Sequence, residues 1–218
     1  MLALYGRALG YGFIVDDHAL IEHNAALQDW GTLPEALTHD LFHFSSVRTS
    51  PYWRPLVTLS YYVDQAVGGG APWAFHLTNL VALVLGGWGV SRLGPGWSGV
   101  LLGAAFIAHP LQVEGAVSVA SRTDLFCVAF AAWALRAGPR TAAALTLGAC
   151  LSKEVGLLVP LALLLSGRAW KPSAGVAAMV LGARLLVPLG VPEGTPELLE
   201  VPGRVAWMLS RLVWPSFV

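Results

Sequence analysis

The polar residues of this 218-residue chain fall into a few short groups, and those groups are where chemistry can be done. Asp16-Asp17-His18 sets two carboxylates and an imidazole side by side. Arg54 precedes Pro55, and a guanidinium can hold a phosphate through two parallel hydrogen bonds. His109, Glu114, Arg122 and Asp124 make a second group. Lys153-Glu154 puts a cation beside an anion within an otherwise apolar run. There the lysine can neutralise a phosphate while the glutamate holds it, or the two form a purely structural pair. His39 and His43 stand four apart with Asp40 between them, the spacing of a zinc-binding H-E-x-x-H helix, with a third ligand from His18 or His23.

Each group also has a plainer account. Asp16-Asp17-His18 can cap a surface helix. Arg54 can snorkel to an interface. Arg122 and Asp124 are too close in sequence to share a helix face, so one can point into a site while the other caps a span, or the group can close a structural network. His39 and His43 can lie on the wet face of a surface helix. The aromatic residues Trp30, Tyr52, Trp53, Tyr61, Tyr62 and Trp73 read as an interfacial belt.

The elements that must position these residues are dictated by composition. Hydrophobic residues make up 56% of the chain and charged residues 12%, about half the share in soluble domains. Such a chain cannot cover itself with charge and is expected to face lipid. Its formal net charge of zero gives no field for nucleic acid. Cys127 and Cys150 both lie in apolar runs and read as small packing residues.

The expected fold is all-α, a polytopic membrane helix bundle of about seven spans, some short or broken. Spans are expected at Leu2–Val15, Ala74–Leu93, Trp97–Ala108, Leu125–Leu135, Ala142–Leu165, Ser173–Leu189 and Arg204–Val218. Residues 16–70 read as a first external loop carrying surface helices at Leu33–Phe44 and Pro55–Val67, with 71–218 supplying the remaining spans of a single module. Breaking the 142–165 run at Lys153-Glu154 takes the ion pair out of the lipid. It also returns Arg168 and Lys171 to the side of Arg7, Arg92, Arg136 and Arg140. The acidic clusters, including Glu193, Glu197 and Glu200 in 192–200, then share the outer face. Ionisable groups at membrane depth are costly, so their convergence on one face marks a site.

Five blocks in order carry a family resemblance: "FIVDDHALIEHN" (13–24), "YWRPLVTLSYYVD" (52–64), "FHLTNL" (75–80), "HPLQVEGAVSVASRTDL" (109–125) and "LSKEVGLLVPLALLL" (151–165). Together they resemble the transmembrane and tetratricopeptide-repeat containing (TMTC) family, multi-spanning GT-C glycosyltransferases similar to protein O-mannosyltransferases. The resemblance implies a sugar transferred with inversion from a polyprenyl-phosphate donor to a protein or glycan acceptor, on the extracytoplasmic side. It implies Asp16 as catalytic base, with Asp17 as its partner, orienting the acceptor or holding a divalent cation. Arg54 and Lys153 would bind the donor phosphate. His18, His109, Glu114, Arg122, Asp124 and Glu154 would line the site. The chain departs from the family in having Leu83 where a histidine is expected and no tetratricopeptide repeats, so it is expected to be a fragment, a minimal GT-C module, or a module whose spans a partner chain completes. Alanine- and glycine-rich composition points to a bacterial inner membrane. Two other functions fit less of the sequence: a non-catalytic subunit binding lipid-linked sugar, and an intramembrane zinc metalloprotease using His39 and His43.

Overall fold

The computed structural model describes residues 2–45 and 50–187, and among these every regular element is helical. The expected Arg204–Val218 span and the acidic 192–200 loop lie outside the described residues.

The chain opens with one helical turn, α1 (Leu2–Tyr5), then a 3-10 turn over Gly6–Gly10 and an extended stretch. The expected first span at Leu2–Val15 is therefore not a continuous helix. Gly6, Gly10 and Gly12 account for this, because each glycine costs about 1 kcal/mol in a helix interior. Tyr5 anchors the segment by donating its hydroxyl to the Ile107 carbonyl at 2.8 Å.

In the first loop a π-helical turn spans His18–Glu22 and 3-10 turns span Ala25–Gln28 and Trp30–Thr32. Helix α2 (Leu33–Thr38) is half the length expected of the Leu33–Phe44 segment. Local side chains end it. Thr38 Oγ1 donates back to the Pro34 carbonyl at 3.0 Å, and Asp40 accepts from the Phe42 N–H at 2.9 Å, which nucleates a turn instead. Helix α3 (Pro55–Gly68) starts on a proline whose missing N–H costs nothing there. It ends on Gly69 at φ 59°, whose N–H reaches the Gln65 carbonyl at 2.8 Å. Tyr61 and Tyr62 on α3 are buried with Phe75 in the core, not displayed in an aromatic belt; Trp30, Tyr52 and Trp73 are exposed.

The long runs follow: α4 (Pro72–Ser91), α5 (Gly96–Ala108), the short α6 (Gln112–Val117), α7 (Arg122–Ala134) and α8 (Pro139–Ser152). Helix α5 folds back onto α4, and the backbones touch because both faces lack side chains. A Cβ on Gly103 would lie 2.6 Å from the Gly87 carbonyl oxygen. Trp133 of α7 packs edge-on to Trp88 of α4 at 4.9 Å and donates to the Leu85 carbonyl. After Ser152 the helix breaks. Lys153 is extended (φ −157°, ψ 151°), a 3-10 turn covers Glu154–Leu158, and α9 (Val159–Leu165) and α10 (Lys171–Arg184) follow.

One helix, α4, is long and apolar enough to cross a membrane. The expectation of about seven spans is not met by helix length among the described residues. Helices of 13 or 14 residues such as α5, α7, α8 and α10 reach only about 20 Å at 1.5 Å per residue, against a hydrocarbon core of about 30 Å.

Candidate functional site

The polar groups gather at one end of the bundle around a cavity of about 430 Å³. Its wall takes Asp16 from the first loop, Tyr52 and Arg54 from the approach to α3, Glu114 from α6, Asp124 from α7 and Lys153 from the break after α8. Five segments distant in sequence thus supply its titratable side chains.

Asp16 and Asp17 are aimed apart by the backbone. Val15 sits at φ 47°, a left-handed conformation that costs a β-branched residue strain. Past this corner Asp16 faces the cavity, and Asp17 turns inward and is fully buried. The Asp17 carboxylate accepts from the N–H groups of Ala120 (2.7 Å), Val119 (3.1 Å) and Ile14 (3.2 Å). The expectation that Asp17 works on the acceptor or holds a cation is corrected by this geometry. Its oxygens are spent on the backbone, clamping the first loop to the 118–121 turn.

Arg54 donates to Glu154 at 3.0 Å, and Glu154 also accepts from Arg184 of α10 at 2.9 Å. The guanidinium of Arg54 lies 4.4 Å over the Tyr52 ring, and its Nε has no hydrogen-bond partner among the described residues. Lys153 donates to Asp124 at 2.5 Å. Lys153 and Glu154, adjacent in sequence, therefore do not hold each other. Because Lys153 is extended, successive side chains diverge and each finds a partner on a different element.

Three expected site residues lie elsewhere. His18 is exposed and pairs with Glu22 at 2.5 Å. His109 is exposed past the end of α5, where its Nδ1 accepts from the Leu111 N–H. Arg122 is fully buried. It pairs with Asp64 at 2.6 Å and donates to Asn79, Ser60 and the Phe75 carbonyl, with Tyr61 stacked on its guanidinium at 4.9 Å. Burial pushes the Tyr61 phenol far above its usual range, so the ring serves as an apolar and cation-binding surface. Arg122 thus welds α3, α4 and α7 together, one of the two roles open to it in the sequence. Asp64, Asn79 and Ser60 gave no sign of this network, because the residue they serve is remote in sequence.

The H-E-x-x-H reading is also corrected. His39 is extended at the end of α2, not on a helix with His43. Asp40, in the position of the catalytic glutamate, is buried and accepts from Phe42 and from both the N–H and hydroxyl of Ser50.

An apolar cleft of about 430 Å³ runs between α4 and α7, lined by Leu85, Phe126, Phe130 and Trp133. Its first lining residue on α7, Phe126, follows Asp124 by two residues, about half a helical turn.

A multihelical chain with this polar cavity is similar in sequence to one class of known protein. Protein O-mannosyl-transferase Tmtc2 of Drosophila melanogaster is 34% identical over 139 residues, 58% of this chain and 14% of that protein. Protein O-mannosyl-transferase TMTC2 of Homo sapiens is 33% identical over 141 residues, 57% and 16%. Protein O-mannosyl-transferase Tmtc1 of Drosophila melanogaster is 32% identical over 135 residues, 58% and 16%. The resemblance to TMTC proteins carried by the five sequence blocks is therefore matched by aligned relatives. The matched region amounts to only 14–16% of those proteins' length. No family model and no solved structure matches the chain.

Proposed function

We propose that this chain is a membrane-embedded GT-C-type glycosyltransferase module that moves a sugar from a polyprenyl-phosphate donor to a hydroxyl of a protein or glycan acceptor on the extracytoplasmic side. The observation that carries this is the convergence of Asp16, Arg54, Glu114, Asp124 and Lys153 on one open cavity, in a chain similar to proteins named O-mannosyl-transferases. On this reading the short helices cross a membrane together with α4 as a bundle of about seven spans. Asp16 accepts the proton of the acceptor hydroxyl. The oxygen attacks the anomeric carbon from the face opposite the phosphate, the carbon–phosphate-oxygen bond breaks, and the configuration inverts. The electron pair leaves with the phosphate.

Two features support a phosphate seat. Two guanidiniums, Arg54 and Arg184, share the single carboxylate of Glu154, so that triad keeps one net positive charge. Asp124 is exposed, and an exposed ion pair is worth at most about 1 kcal/mol, so a phosphate can displace it from Lys153. The apolar cleft beside α7 is of a kind to take the polyprenyl chain.

The test is single-turnover transfer from polyprenyl-phosphate mannose by the full chain in lipid nanodiscs, with donor binding measured separately. Asp16→Asn keeps shape but cannot take a proton, so transfer falls about 10²–10⁴-fold while donor affinity stays. Arg54→Lys replaces a fork with a point charge and weakens donor binding about tenfold. Unchanged turnover in Asp16→Asn removes the base assignment. Donor binding without transfer by the unaltered chain supports the binding-subunit alternative.

A further inference from the structure

The correction that removes a zinc protease leaves its two histidines beside a carboxylate that the sequence did not connect with them. We propose that Glu35, His39 and His43 form a surface site for a divalent transition metal ion of the Zn²⁺ type, separate from the cavity that binds the donor. One ligand atom from each residue lies within 4.8 Å of the other two. The imidazoles face each other with centroids 4.1 Å apart and planes 24° apart. His43 Nε2 is 2.9 Å from Glu35 Oε1.

The outer contacts fit a ligating role. His39 Nδ1 lies 2.9 Å from the Glu35 carbonyl, which can only accept, so Nδ1 carries the proton and Nε2 keeps its lone pair. Metal-bound histidines typically donate their second nitrogen to a backbone carbonyl or carboxylate in this way. The N–H···O contact between His43 and Glu35 marks where the ion enters, with the ring proton shifting to Nδ1. Zinc at about 2.0–2.1 Å from four tetrahedral ligands holds them about 3.4 Å apart, so the 2.9 Å His43–Glu35 contact opens by about half an ångström while wider separations, all within 4.8 Å, close. Glu35 is exposed and both histidines are half-exposed, so side-chain rotation supplies that closure. The backbone needs no change. Asp40 pins the turn between the histidines through Phe42 and Ser50, and the Leu41 N–H reaches the Tyr52 carbonyl at 2.7 Å.

Two imidazoles and one carboxylate select Zn²⁺, Ni²⁺ or Cu²⁺ over Mg²⁺ or Ca²⁺. Three protein ligands leave one position for water. Among the described residues no general base stands beside it, because Glu35 is a ligand and Asp40 is committed inward. The ion would therefore brace the loop and not hydrolyse a substrate. It would tie the first turn of α2 to the turn leading to Tyr52, and α2 already holds Trp53 through its Leu37 carbonyl at 2.8 Å.

The test is Co²⁺ titration of the detergent-purified, chelator-treated full chain, followed by its visible absorption, with Zn²⁺ as competitor. One ion per chain with tetrahedral-type bands is expected, displaced by Zn²⁺ and not by Mg²⁺. His39→Ala, His43→Ala and Glu35→Gln should each weaken uptake at least about tenfold. His18→Ala, which removes the other His–Glu pair, should leave it unchanged. No saturable uptake by the unaltered chain, uptake that survives His39→Ala/His43→Ala, or uptake lost in His18→Ala would each overturn the proposal.

Discussion

Asp16 and Asp17 are chemically identical neighbours with different surroundings: Asp16 lines the cavity, and Asp17 is fully buried. Three backbone N–H groups converge on Asp17 away from solvent. Hydrogen bonds to a charged buried group are each worth about 1.5–3 kcal/mol, and an abandoned buried donor costs about 1–3 kcal/mol. Asp17→Asn turns an –NH₂ toward one of those donors, so it should destabilise the fold by about 2–3 kcal/mol. In a chain of this size that corresponds to a melting temperature lower by roughly 4–12 °C. Asp16→Asn, at a residue that is only half-buried, should lower the melting temperature by less than Asp17→Asn does. Thermal unfolding of the two purified variants in one detergent decides this, and equal melting temperatures would refute the division of roles. The sequence marked the pair as special, and the family resemblance set Asp16 as base beside Asp17 as partner, but the structural role of Asp17 was not legible. The division depends on the strained Val15 corner and on backbone donors at 119 and 120, neither of which leaves a trace in residue type. Arg122 has the same limit. A lone arginine before an apolar run reads equally as a ligand-binding group or a structural one until Asp64, Ser60 and Asn79 are seen around it.

At the scale of elements, the break between α8 and α9 sets the site, and it was the most legible feature of the chain. An ion pair within an apolar run cannot stay on a regular helix facing lipid, and the helix ends at Ser152, directly before Lys153. The first segment was less legible, because its hydrophobic count suggested a span while its glycines opposed a helix. The end of α2 depended on competition from Thr38 and Asp40, which a pattern of apolar spacing does not register. The geometry of the break rests on Gly156. It packs so closely on the end of α8 that a Cβ would fall onto the backbone of Ala149 and Cys150. Backbone atoms cannot rotate aside, so Gly156→Ala should push the 3-10 turn outward and carry Glu154 off Arg54 and Arg184. Overpacking of this kind costs about 1–3 kcal/mol. Gly175→Ala, where a Cβ meets open space in α10, is the control and should be neutral or slightly stabilising. Equal melting temperatures for the two variants would show that the turn relaxes without cost.

At the scale of the whole molecule, the remaining question is which ends of the helices share a side. The ion pairs supply an internal ruler. Arg184, at the end of α10, meets Glu154, and Lys153 meets Asp124 at the start of α7. The start of α7, the end of α8 and the end of α10 therefore share the end of the bundle that holds the cavity. The opposite ends, around Arg136, Arg140, Arg168 and Lys171, lie about 20 Å away along helices of 13 or 14 residues. Those distal ends carry four cations and no Asp or Glu, whereas Arg54, Lys153 and Arg184 at the cavity end are each paired with a carboxylate and 16–70 is rich in acids. By the bias of Lys and Arg toward the cytoplasm, the distal ends should be inside and the cavity outside. Cysteine labelling tests this directly. Cys127 and Cys150 are buried free thiols and can be replaced by alanine to give a silent background. Single cysteines at Trp30 and Leu111, both exposed on the cavity side, should react with a membrane-impermeant maleimide in intact cells. Single cysteines at Arg140 and Ala169, both exposed at the distal ends, should react only after the cells are opened. If Ala169→Cys labels in intact cells while Arg140→Cys does not, the 142–165 run crosses as one span and the hairpin is wrong. If all four label alike in intact cells, the bundle does not separate two compartments, and an extracytoplasmic transfer site falls with it.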